Sequence, residues 1–78
     1  MSEYKPDIVV DVIGETCPIP LVEMRKALMR AEKGQIVEVK GNHRASKQEI
    51  PMAVDSLGFK LLDVTDADGG VWHILIQK

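Results

Sequence analysis

The chain has 78 residues, 45% hydrophobic and 28% charged, with ten Lys and Arg against twelve Asp and Glu for a formal net charge of -2. A core built from so short a chain buries only about 60–65% of the surface its unfolded form exposes, which leaves no material for a second domain, and the composition excludes a disordered tail. A single cysteine excludes an internal disulfide framework and a thiolate zinc cluster, and the acidic balance gives no overall attraction to nucleic acid.

One domain over residues 1–78 is therefore expected, with residues 1–7 flexible. The first six residues carry Glu3 and Lys5 and no apolar signal core, and no window approaches the roughly 18 apolar residues of a membrane span. With one free thiol, a reducing, cytoplasmic setting without a membrane partner is the expectation.

In chain order, residues 8–13 are apolar and β-branched apart from Asp11, which predicts a buried strand with Val10 and Val12 facing the core. After Pro18, Leu21, Met24, Leu28 and Ala31 recur at spacings of three and four, with Glu23, Arg25, Lys26 and Arg30 between them, which predicts an amphipathic helix of about four turns. Gly34 stands where a left-handed residue ends that helix, and Ile36, Val37 and Val39 alternating with Glu38 and Lys40 predict a second strand. A helix between two strands implies a right-handed crossover. Ser46-Lys47-Gln48-Glu49 has the spacing of a capping box, followed by Ile50, Val54 and Leu57 and closed by Gly58, which predicts a second helix. Pro51 would be its fifth residue and remove one backbone bond, so a short opening turn ahead of the main helix is an equal reading. Residues 59–65 and 71–77 then flank Asp66-Ala67-Asp68-Gly69-Gly70, a turn cluster of hairpin length. The order βαβαββ predicts an α+β fold, a two-layer sandwich with two helices on one face of a four-stranded mixed sheet. In the last strand Trp72, Ile74 and Ile76 alternate with Val71, His73 and Leu75, so both faces carry apolar groups and the open face is a candidate docking surface or dimer interface.

Cys17 lies between a strand and a helix, behind Gly14-Glu15-Thr16 and ahead of Pro18 and Pro20. If the helix begins just after it, Cys17 is the N-cap and its sulfur faces the positive end of the helix dipole, which favours thiolate. The two prolines supply no N–H, so Ile19 and Leu21 are left to donate and only a modest lowering of the thiol pKa is expected. The prolines then serve to fix the first turn and hold the sulfur outward. Glu15 opposes the thiolate if it is close; Arg25, Lys26, His43 or Arg44 support it if the fold brings them near. Gly14 permits a turn at the strand exit, while Asp11, Pro51 and His73 read as structural. Thiol–disulfide exchange wants a resolving cysteine, and Pro20 occupies that place; a protease wants a His base, an orienting partner and a cleft, and the chain offers only His43 and His73. What remains is a thiol that carries a group covalently, or a cysteine that merely packs.

Asp11-x-x-Gly14-x-x-Cys17-Pro18-x-Pro20 resembles the signature of the TusA/SirA-like sulfur carrier family, with Gly34, Val39, Ile50-Pro51 and Gly58 where that family has its later landmarks. The likeness runs from Ile8 to Lys78. It implies a βαβαββ fold similar to the C-terminal domain of the third bacterial translation initiation factor. It further implies that Cys17 accepts sulfane sulfur as a persulfide from a cysteine desulfurase or rhodanese-type donor and passes it to an acceptor carrier or biosynthetic enzyme, without cofactor or metal. Family members serve tRNA thiolation, cofactor biosynthesis or sulfur metabolism. Where the family often has an acidic Asp-Asp-Pro segment before the second helix, this chain has Gly41-Asn42-His43-Arg44, which alters the charge a partner would meet beside the thiol. The alternative is a nucleic-acid-binding or regulatory module of similar fold, suggested by Lys40, His43, Arg44 and Lys47 and opposed by the acidic balance and three aromatic residues.

Overall fold

The computed structural model describes residues 5–16 and 18–78. Its elements are β1 (Ile8–Asp11), α1 (Ile19–Arg30), β2 (Ile36–Gly41), α2 (Arg44–Leu57), β3 (Lys60–Asp66) and β4 (Trp72–Gln77). The sheet order is β1-β2-β4-β3, with β1 parallel to β2 and the other two pairs antiparallel. This is the mixed four-stranded sheet and two-layer α+β arrangement that the hydrophobic periodicity predicts. The hairpin cluster forms a single 3-10 turn, Asp68–Gly70, closed by Ala67 N–H donating to the Val71 carbonyl at 2.7 Å.

The core lies between one sheet face and both helices. Val10 and Val12, Val37 and Val39, and Trp72, Ile74 and Ile76 meet Met24, Ala27 and Leu28 of α1 and Ile50 and Val54 of α2, all buried. Alternation along each strand places these residues on the same side, and spacings of three and four do so on each helix. Asp7, expected within a flexible start, is tied to β2: its N–H donates to the Ile36 carbonyl at 2.7 Å and its carboxylate accepts the Ile36 N–H at 2.9 Å.

Several local expectations are corrected. α1 has 12 residues, a little over three turns, and ends at Ala31, which is extended (ψ 151). Gly34 belongs instead to the following turn, where Gln35 N–H donates to the Glu32 carbonyl at 3.0 Å. Ser46 does not cap α2. The helix begins at Arg44 with His43 as N-cap, so Ser46 falls inside the first turn, buried, with its hydroxyl 2.7 Å from His43 Nδ1. α2 is continuous through Pro51, without a separate opening turn. At its far end Gly58 adopts φ 82 while Gly58 N–H reaches the Asp55 carbonyl and Phe59 N–H the Val54 carbonyl, both at 3.1 Å. These paired bonds form a Schellman motif, with Phe59 packed against the core to complete it.

The open sheet face is more polar than the alternation in the last strand alone suggests. Cross-strand pairing puts Glu38, Lys40, His73, Asp63 and Thr65 on it, around Leu75. Leu75 is only 5% exposed, because it lies between Glu38 and Asp63. His73 Nδ1 meets Glu38 Oε2 at 3.4 Å, and Thr65 Oγ1 donates to Asp63 at 3.2 Å. The face thus carries apolar groups, as expected, but Leu75 is covered, and charged, hydrogen-bonded side chains surround it. Val9 of β1 is an exposed apolar side chain beside Glu38 on this face, whereas Ile19, Val22, Met29, Met52 and Leu57 belong to the helices. No helix among the described residues is long and apolar enough to cross a membrane.

Candidate functional site

Because β1 and β2 run parallel, the loops that follow them emerge at the same sheet edge. The ladder continues one rung past β1, with Val12 N–H donating to the Lys40 carbonyl at 2.7 Å. The chain then turns at once. Glu15 N–H donates back to the Val12 carbonyl at 3.0 Å, Ile13 N–H to Asp11 Oδ1 at 3.0 Å, and Gly14, third in the turn, adopts φ 88. That left-handed conformation is open to glycine and disfavoured for residues with a Cβ, so the turn needs Gly14. Asp11 acts as a local backbone acceptor.

A second turn follows directly, closed by Ile19 N–H donating to the Thr16 carbonyl at 2.9 Å. Cys17 falls in sequence between its two ends and lies outside the described residues. Pro18, exposed, is the N-cap of α1, and its carbonyl accepts Val22 N–H at 3.0 Å. The N-cap assignment expected for Cys17 is therefore one position early. The donor count changes with it: Pro20 has no N–H, and the Ile19 N–H, expected to face the thiol, is committed to Thr16. Pro20 has a second task, since its ring is buried in the core and anchors the start of α1.

The loop after β2 is fastened to the same place. Asn42 Oδ1 accepts the Gly14 N–H at 2.9 Å, a bond across 28 positions of sequence. Gly41 is buried, and a Cβ there would stand 2.8 Å from the Trp72 ring and 3.0 Å from Val12. Trp72 Nε1 donates to the His43 carbonyl at 3.0 Å, and the His43 ring is held by Ser46. Asn42 escapes a reading of the sequence because its partner is specified by strand pairing, not by spacing. The available signal is local: an amide side chain next to a glycine at the end of a parallel strand.

The other expected charges are dispersed. Glu15 is exposed, within the turn itself. Arg44 lines a shallow depression with Lys47, Gln48, Asp66 and Trp72, on the β3–β4 side of α2. Lys26 pairs with Glu23 at 3.5 Å on an exposed face, and Arg25 lines the groove between the helices beside Ala53, Ser56 and Leu57. Of the expected supporting groups, the fold brings the His43 loop to the turn that leads into Cys17, while Arg25 sits in the interhelical groove and Arg44 on the hairpin side.

The family model described as "Sulfurtransferase TusA" matches residues 8–78. The chain is similar to "Putative sulfur carrier protein" of Thermotoga maritima, 36% identical over 77 residues that span 99% of this chain and 98% of that one. It is equally similar to "Putative sulfur carrier protein YedF" of Escherichia coli, 36% identical with complete coverage of both chains. Among solved structures, the SirA-like protein from Desulfitobacterium hafniense superposes with a TM-score of 0.80 at 28% identity, over 90% of this chain and 95% of the other. A strand-to-helix junction carrying Cys-Pro-x-Pro, in a βαβαββ sandwich matched along nearly its whole length, places this chain in the TusA/SirA-like family of sulfur carriers.

Proposed function

We propose that Cys17 carries sulfur as a persulfide between a donor and an acceptor protein. Its thiolate attacks the outer sulfur of a donor persulfide; the donor's S–S bond breaks, the donor thiolate leaves, and a new S–S bond forms on Cys17. The sulfane sulfur moves without net oxidation or reduction, and the reverse exchange onto an acceptor thiol unloads the carrier. A cysteine desulfurase or rhodanese-type enzyme suits the donor role, and a further carrier or a biosynthetic enzyme the acceptor role.

The observation that carries this reading is the pair of consecutive turns, Val12 to Glu15 and Thr16 to Ile19, at the junction of β1 and α1, the second of which spans position 17 in sequence. A carrier needs little more than a positioned sulfur and a surface on which donor and acceptor alternate. Ile13, Ile19 and Val22, apolar and exposed on both sides of Cys17 in sequence, suit such alternating contacts. The nucleic-acid alternative loses support, because Arg44 and Lys47 share their depression with the carboxylate of Asp66 and the other two basic candidates are engaged elsewhere. Lys47 is paired with Asp66 at 2.7 Å, Lys40 is on the open sheet face opposite Asp11, and His43 is engaged at the start of α2.

Mass spectrometry after incubation with a cysteine desulfurase and cysteine, or with a rhodanese and thiosulfate, tests the proposal. The expected product gains the mass of one sulfur atom, mapped to Cys17, removed by dithiothreitol and absent from Cys17→Ala. Absence of an adduct from both donor classes, when the same donors load a control carrier, overturns it.

A further inference from the structure

We infer that Asn42 is the positioning residue for the Cys17 segment, a role that rests on the carrier reading above. The three amides of the turn ahead of Cys17 have separate acceptors. Ile13 N–H goes to Asp11 and Glu15 N–H to Val12, both within the segment itself. Of these three, the Gly14 N–H leaves the segment, and it goes to Asn42 Oδ1 at 2.9 Å.

The acceptor is held on both sides by one buried residue. Gly41, the residue before Asn42, pairs with Trp72 across the sheet and is pressed against its ring; the carbonyl of His43, the residue after, accepts the Trp72 indole N–H at 3.0 Å. Trp72 is 1% exposed and belongs to the core. Val12 N–H, bonded to the Lys40 carbonyl, ties the start of the turn to β2; Asn42 ties its tip to the same core through the loop after β2.

Displacement at sulfur requires the attacking atom to lie in line with the S–S bond that breaks, and a misplacement of about 1 Å costs on the order of 100-fold in such reactions. An amide oxygen holds the Gly14 N–H without adding charge. A carboxylate at the same position accepts the same bond and adds a negative charge at Gly14, three residues before Cys17 in sequence, and a negative charge disfavours a thiolate. The two substitutions Asn42→Ala and Asn42→Asp thus separate position from charge.

The test is the rate of sulfur uptake from a desulfurase at varied donor concentration, beside the pH profile of Cys17 alkylation. Gly14 is exposed, so water replaces the lost acceptor and Asn42→Ala is expected to melt close to the parent. Its maximal uptake rate should fall by about tenfold with the donor KM unchanged. Asn42→Asp should shift the alkylation profile to higher pH and, above that shift, recover uptake to within about twofold of the parent. Parental uptake by Asn42→Ala, a loss confined to KM, or an Asp variant no better than Ala at high pH overturns the assignment while leaving the carrier reading intact. A parent chain that takes up no sulfur overturns both.

Discussion

Residue-scale constraints concentrate around Trp72. Its indole N–H holds the His43 carbonyl, and its ring fills the space a side chain at position 41 would need. Gly41 is glycine for want of room, in contrast to Gly14, which is glycine because of its φ of 88 and has nothing within 4 Å of a built Cβ. Gly41→Ala should therefore cost about 1–3 kcal/mol, read as a lower urea midpoint with an unchanged slope, because the new methyl meets buried ring and Val12 atoms that cannot move aside cheaply. The same change should loosen the loop that carries Asn42.

At the scale of elements, α2 combines a well-formed end with an interrupted middle. Gly58 and Phe59 satisfy the terminal carbonyls of Asp55 and Val54, whereas Pro51 has no N–H to return to the Lys47 carbonyl four residues earlier. The helix persists because Ile50 and Val54 are fully buried, so packing outweighs one missing bond. Pro51→Ala should restore that bond and stabilise the protein by about 0.5–1.5 kcal/mol, or roughly 4–8 °C in Tm per kcal/mol for a domain of this size, checked by a thermal melt followed by circular dichroism. At the corrected start of α2 the His43 carbonyl accepts both the Lys47 N–H, the first bond of the helix, and the Trp72 indole N–H, while Ser46 bonds the His43 ring.

Over the whole molecule, charge and topology divide the surface in two. The open sheet face is mainly polar, with Val9 of β1 exposed on it beside Glu38, while most of the exposed apolar side chains lie on the helices and at the turn before Cys17. With a net charge of -2 and Lys47 neutralised by Asp66 beside Arg44, tRNA should show no retention at about 0.15 M salt, measured by fluorescence anisotropy. Retention that survives Cys17→Ala and falls steeply with added salt would count against this division of the surface. The partners such a surface suits are proteins that meet the edge where β1 and β2 end.

The element order, the core stripes and the family motif were legible in the chain itself, because periods of two and of three to four are local properties that strands and helices read directly. Val10, Val12, Met24, Leu28, Ile50 and Val54 are buried as that pattern requires. Cys17 too stood out by sequence, through its prolines and the glycine before it. What only the tertiary structure decided are contacts between segments far apart: Asn42 on Gly14, Trp72 on His43, and Glu38 and Asp63 closing over Leu75. None of these has a spacing rule. Each exists because β1 pairs with β2 and β4 lies between β2 and β3, and that pairing is settled by burying one sheet face under two helices, a condition satisfied by the whole chain at once.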